Sequence, residues 1–172
     1  TGAGILQQQG ITQSDVAILM GTLGKGFGTF GAFVAGSDVL IETLIQKARS
    51  YVFTTAMPAA VAEATRTSLK LLIKDSWRRD KLRSLVQRFQ LGANQLGLSI
   101  MPSDTAIQPL LIGDSQKATA ISESLLNQGF LVGAIRPPTV PKGEARLRIT
   151  FSANHQDQHV DQLLDALDKI EI

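Results

Sequence analysis

Residues 15–35, DVAILMGTLGKGFGTFGAFVA, hold the pattern on which the fold turns. The first part, 15–23, is a short apolar run bounded by glycine, and such a run reads as a buried strand. A glycine-rich loop, 24–31, follows, and then Ala32-Phe33-Val34-Ala35 reads as a second short strand. Gly26-Phe27-Gly28-Thr29-Phe30-Gly31 fits the spacing G-x-G-x-x-G. That spacing marks a dinucleotide site only where a helix opens at its end and turns its N-terminus to the pyrophosphate. Here a strand comes next and no acidic residue closes a second strand downstream, so a nicotinamide cofactor is disfavoured. The phosphate-loop pattern fails too, because the segment 21–26 is too short and no Ser or Thr follows Lys25. Lys25 itself ends the apolar run between Gly24 and Gly26, with Thr22 three residues before it. The position reads as poorly placed for solvent, with neighbours too small to crowd a ligand. A desolvated lysine loses its proton readily and can attack a carbonyl to form a Schiff base. An ordinary loop lysine fits the same features equally well.

Outward from this stretch, Ser37 and Asp38 are expected to cap a helix that runs to about Arg49. Residues 51–57 read as extended, and Pro58 fits the first turn of a helix. On that helix Val61, Ala64, Thr65, Ser68, Leu71 and Leu72 share a face of small and apolar side chains. A further helix is expected over 77–96. Beyond it come a strand (106–112), a helix (116–128), two strands (130–135 and 145–151) and a closing helix. Val160, Leu163, Leu164, Leu167 and Ile170 form the closing helix's apolar stripe, with Asn154 and Asp157 as its cap. Strand–helix–strand–strand–helix describes a small α+β unit with its helices on one face of a sheet. The expected division is a first part over 1–80 and a small α+β domain over 81–172.

Composition narrows the function. Of 172 residues 44% are apolar and 19% charged, enough to bury a core and too apolar for a disordered chain. Seventeen basic against fifteen acidic side chains leave a net charge of +2, which is no polycation built for nucleic acid. The absence of Cys excludes disulfides, a thiolate nucleophile and Cys-ligated metals. No apolar run approaches the roughly 18 residues of a membrane span, so the expectation is a soluble, cytoplasmic α/β protein. The opening Thr1-Gly2-Ala3-Gly4, without Met, suggests a fragment whose first element is missing.

His155 and His159 have metalloprotease spacing, but Gln156 stands where the Glu base belongs. A solvated helical turn without metal is the expectation. The run 74–83, KDSWRRDKLR, pairs Asp75 with Arg79 and Asp80 with Arg83 as an exposed helix does, and reads as a solvated face. Arg146, Arg148 and Thr150 alternate with Leu147 and Ile149, which puts both arginines on one strand face, where a guanidinium fork could take a carboxylate or phosphate. An edge strand with a polar face is the alternative. Just upstream, Arg136-Pro137-Pro138-Thr139-Val140-Pro141 is a stiff loop whose ordering costs little entropy.

Taken together, Thr22-Leu23-Gly24-Lys25-Gly26-Phe27-Gly28, Phe53-Thr54-Thr55-Ala56-Met57-Pro58, Ala106-Ile107-Gln108-Pro109-Leu110, the segment 134–141 and Ala145-Arg146-Leu147-Arg148-Ile149-Thr150 resemble the α-oxoamine synthase family. These are fold-type-I pyridoxal-phosphate enzymes that join an amino acid to an acyl thioester. The Arg-Pro-Pro-Thr segment is most similar to members acting in biotin biosynthesis, which condense L-alanine with pimeloyl-coenzyme A or pimeloyl-acyl carrier protein. The resemblance implies an α/β chain that is the C-terminal part of an aminotransferase-like large domain plus a small α+β domain. It implies that the Asp facing the pyridine nitrogen, a neighbouring His and the ring-stacking group precede residue 1, so that the chain alone is inactive. It implies that Lys25 carries pyridoxal 5′-phosphate as a Schiff base and that Thr22 hydrogen-bonds in the cofactor site. Thr54 and Thr55 would reach the cofactor phosphate of the other subunit of a homodimer. Arg148 would clamp the amino acid carboxylate, and Thr139 and Arg136 would line the acyl channel.

Overall fold

The computed structural model describes Gly2 and residues 4–170, and the chain divides into two compact units, Thr1–Ser76 and Trp77–Ile172.

The first unit contains α1 (Ile5–Gln9), β1 (Ile18–Thr22), β2 (Ala32–Gly36), α2 (Asp38–Lys47), α3 (Arg49–Val52) and α4 (Ala59–Lys74). Strands β1 and β2 form an antiparallel ribbon in which Met20 faces Val34 and Thr22 faces Ala32. The run 15–23 is therefore a strand only from Ile18. Ahead of it Thr12 and Asp15 close a local turn: the Thr12 N–H donates to the Asp15 carboxylate (2.8 Å) and the Asp15 N–H to the Thr12 carbonyl (3.1 Å). Short polar side chains compete with the ladder in this way. The strand is not buried either, because a two-stranded ribbon has no layer within this unit to cover it. Ile18 and Met20 are more than half exposed, and Leu23 alone among the described apolar residues of the unit is buried. Ser37 caps α2 as expected, its hydroxyl accepting from the Leu40 N–H at 3.3 Å. Residues 51–57 are not extended throughout. Tyr51 and Val52 are helical, their N–H groups both bonded to the Ala48 carbonyl at 2.9 Å. Local hydrogen bonding here overrides the strand preference of β-branched and aromatic side chains.

The second unit holds α5 (Trp77–Gln95), β3 (Ile107–Gly113), α6 (Ser115–Asn127), β4 (Gly133–Ile135), β5 (Ala145–Thr150) and α7 (Asp157–Asp168). Its antiparallel sheet has the order β3-β5-β4, with β5 in the middle. Alternation along β5 settles the layering. Ala145, Leu147 and Ile149 are buried against a core supplied by Leu85 and Phe89 of α5, Ile121 and Leu125 of α6, and Val160, Leu163 and Leu167 of α7. Arg146, Arg148 and Thr150 point to the opposite face. Pro109 is tolerated inside β3 because its hydrogen-bonding side faces residues 99–101. There its carbonyl accepts from the Met101 N–H, and Leu111 N–H donates to Ser99, both at 2.9 Å. Gln108, fully buried, donates to the Thr105 carbonyl (2.7 Å) and accepts from Gln90 (2.9 Å), so its burial leaves no polar atom unpaired.

Two expected boundaries shift. Strand β4 starts at Gly133, not at 130, because the Phe130 N–H turns back to the Leu125 carbonyl (2.9 Å) and finishes α6. The cap of α7 is Gln156 rather than Asn154. Its side chain accepts from the third helical residue while its own N–H donates to His159 Nδ1 at 3.1 Å. Two ion pairs tie α7 to α5: Lys81 with Asp157, and a bidentate Arg88–Asp161 fork with both contacts at 2.7 Å. Hydrogen bonding from Lys81 holds the Asp157 carboxyl below its ordinary value of 3.8, and the Arg88 fork does the same for Asp161.

Two outcomes follow for the second unit. Leu147→Ala removes a fully buried side chain from the central strand and should lower its unfolding free energy by about 2–5 kcal/mol in denaturant titration. A carboxyl depressed in the folded state stabilises above its unfolded pKa and loses that contribution as pH falls through the folded one. Thermal midpoints should therefore drop as pH is lowered from the ordinary carboxylate range, and Asp161→Asn should flatten that drop without altering its direction.

Candidate functional site

Lys25 sits in the loop that joins β1 to β2, and the backbone of that loop is closely held. Leu23 N–H donates to the Gly31 carbonyl (2.9 Å), Thr29 N–H to Leu23 (3.0 Å) and Gly28 N–H to Lys25 (2.8 Å). Gly28 takes φ +65°, a left-handed value that a side chain would strain, so the turn needs glycine there. Helix α4 pins the loop from one side. The Ser68 hydroxyl donates to the Phe27 carbonyl (2.8 Å), and Thr65 Oγ1 lies 2.9 Å from Thr29 Oγ1. These hydroxyls are positioning groups that the sequence showed only as small residues on a helix face. What marks them is a pair of hydroxyls at i, i+3 on an otherwise apolar stripe.

The Lys25 side chain is exposed in this chain, against the expectation of a desolvated position. The reason is local: it is carried on the outside of a tight turn, between residues without side chains. No heavy atom lies within 4 Å of a Cβ placed at Gly26, and at Gly24 the nearest is the Thr29 carbonyl at 3.7 Å. An amine with open space on both sides, on a rigid turn, suits a group that must dock against it. Thr22 is exposed at the end of β1, Thr54 donates its hydroxyl to the Ser50 carbonyl at the end of α3, and Thr55 is exposed beyond it. Because β2 and not a helix follows Gly31, the dinucleotide reading is excluded by the local fold.

In the second unit the two arginines of β5 separate. Arg146 is tied down: its guanidinium donates to the Glu144 carboxylate (2.9 Å), the Glu144 carbonyl (3.0 Å) and the Met101 sulfur (3.2 Å), and its side chain is only 17% exposed. Arg148 is exposed and has no hydrogen bond or ion pair among the described residues. Its cross-strand neighbours are Pro109 on β3 and Gly133 on β4. Arg136 and Thr139 are both exposed and close one turn, the Thr139 N–H donating to the Arg136 carbonyl at 3.0 Å across a cis Pro137-Pro138 bond. That turn leaves β4 directly after Ile135, which pairs with Arg146.

His155 and His159 are each engaged with the backbone through one ring nitrogen. Each Nδ1 accepts a backbone N–H, from Ser152 (3.2 Å) and Gln156 (3.1 Å), and no cluster of three ligating side chains exists among the described residues. No helix among the described residues is long and apolar enough to cross a membrane.

The model of the family described as aminotransferase class I and II matches residues 4–167. The chain belongs to that family. Among curated relatives, 8-amino-7-oxononanoate synthase of Thioalkalivibrio sulfidiphilus is 63% identical over 169 residues, 98% of this chain and 43% of the relative. Among solved structures, Sphingomonas wittichii serine palmitoyltransferase superposes with TM-score 0.88 at 30% identity, over 97% of this chain and 42% of that one. A second, described as SPT with PLP internal aldimine, gives TM-score 0.87 at 27% identity over 96% of this chain and 42% of that one. The chain thus spans less than half the length of the relatives it matches, with the α/β fold of class I and II aminotransferases.

The contrast between the two arginines is open to direct test. Under limiting phenylglyoxal, peptide mapping should show Arg148 modified well before Arg146, whose donors are already engaged.

Proposed function

We propose that the full-length protein is a pyridoxal 5′-phosphate-dependent acyltransferase. It condenses L-alanine with a pimeloyl thioester, of coenzyme A or acyl carrier protein, to 8-amino-7-oxononanoate, carbon dioxide and the free thiol. The observation that carries the proposal is Lys25, a free amine on a turn stapled by Thr65 and Ser68, in a chain 63% identical to a relative with that name. In this reading residues 1–80 belong to the cofactor domain and 81–172 form the small domain of a cytoplasmic homodimer.

Pyridoxal phosphate, when bound, supplies an electron sink for bond changes at the substrate α-carbon. The residues of this chain supply the rest. Lys25 would hold the cofactor through its amine and would serve as the base that moves the proton at the α-carbon. Thr22 would offer a hydroxyl at the end of β1, and Thr55, with Thr54 once its hydroxyl turns from the Ser50 carbonyl, would offer theirs to the cofactor phosphate of the other subunit. Arg148, unpaired on the open face of β5, takes the amino acid carboxylate in a bidentate fork. Such a fork fixes the direction of the Cα–H bond. Thr139 and Arg136, on one rigid turn, line the path of the acyl chain.

Lys25→Ala in the full-length protein should leave the fold intact and abolish turnover. Acid–base work by one positioned group is by itself worth about 10²–10⁴-fold. Circular dichroism and product formation from alanine and pimeloyl-coenzyme A check both halves, and turnover within tenfold of wild type would sink the assignment.

A further inference from the structure

The sheet of the second unit presents one face to its core and the other outward, and the outward face is built in rows across the strands. One row is Leu111–Arg146–Ile135, in which a tethered arginine stands between two large apolar residues. The adjacent row is Pro109–Arg148–Gly133, in which an unpaired arginine stands between a short rigid ring and no side chain at all. Residue 148 turns its backbone hydrogen bonds toward β4, since those of Pro109 face residues 99–101.

The fold does not require glycine at 133. Its φ is not among the left-handed values that glycine alone adopts easily, and a Cβ built there meets no heavy atom within 4 Å. Glycine in a strand interior also weakens the strand relative to residues with side chains. What the missing side chain does provide is space along one flank of Arg148, on the same face and directly across the ladder.

We infer that Gly133 is a specificity-determining residue: its missing side chain keeps open the flank of Arg148 by which an α-amino acid carboxylate reaches the guanidinium. This rests on the reading of Arg148 as the carboxylate clamp. A carboxylate taking both donors of a fork needs the guanidinium plane uncovered over its width. A branched side chain at 133 stands beside the arginine stem and narrows that approach. The row with Ile135 and Leu111 shows the filled alternative, and there the arginine serves the protein's own Glu144.

The test uses Gly133→Ala, Gly133→Val and Gly133→Leu in the full-length protein. The measurements are the KM for L-alanine, kcat, the KM for the pimeloyl thioester, the calorimetric Kd for L-alanine and the thermal midpoint. The expected result is an unchanged or raised thermal midpoint, because the added atoms meet open space and the strand gains a better residue. The KM and Kd for alanine should rise with side-chain size, reaching about tenfold or more at Leu, the discrimination that one or a few methylenes in a pocket give. The other constants should stay near wild type. A Gly133→Leu protein with wild-type alanine affinity overturns the inference, as does one whose weakened affinity comes with a lowered thermal midpoint. Arg148→Lys, run alongside, separates the two levels. If it leaves alanine dependence unchanged, the clamp reading itself fails. If it cripples alanine use while Gly133→Leu binds normally, only the open-flank inference fails.

Discussion

The alternation along β5 is the constraint on which the second unit and its half of the candidate site depend. Leu147 and Ile149 cannot be withdrawn from water without Arg146, Arg148 and Thr150 being turned the other way, because successive side chains leave a strand on opposite faces. Burial of the first set against α5, α6 and α7 is the driving term. The arginines are thereby held on a rigid central strand without any contact of their own having to place them. A one-residue slip of register would put two guanidinium groups in the core. The same packing that stabilises the unit thus presents a cation at a fixed point on its outer face.

What the two arginines then do is decided by their neighbours. Arg146 lies within reach of Glu144 and Met101 and is consumed by them, while Arg148, two residues on, has Pro109 and Gly133 beside it and no partner among the described residues. The sequence shows two equivalent arginines in one alternating strand. Only the folded chain, which brings the Glu144 carboxylate and the Met101 sulfur to Arg146 and neither to Arg148, makes them different.

Lys25 shows the same division of labour on a smaller scale. Glycines on both sides of a lysine, after an apolar run and before a strand, indicate a lysine on a bare turn. They do not indicate that Ser68 and Thr65, some forty residues further on, hold the loop through Phe27 and Thr29. Nor do they show that the amine is exposed within this chain. The expectation of a desolvated lysine assumed that apolar neighbours in sequence are neighbours in space, whereas the β1–β2 ribbon leaves Ile18 and Met20 open.

By itself the sequence determined the order of the five strands and of the longer helices, though not α1 or α3, the face of β5 that carries the arginines, the failure of the dinucleotide and metalloprotease motifs, and the family resemblance. All of these depend on local periodicity, on residue type or on short spacings, which a linear chain displays. The tertiary structure alone decided where strands begin and end, that Gln156 and not Asn154 caps α7, and that Tyr51 and Val52 are helical. It alone decided that Arg148, not Arg146, is left free. Those outcomes turn on competition for hydrogen bonds: the Asp15 carboxylate, the Ala48 carbonyl, His159 Nδ1 and the Glu144 carboxylate each captured a donor that propensity had assigned elsewhere. Each of these acceptors lies two to four residues from the donor it captured, and which of the local alternatives closes to about 3 Å depends on the backbone conformation that the folded chain adopts.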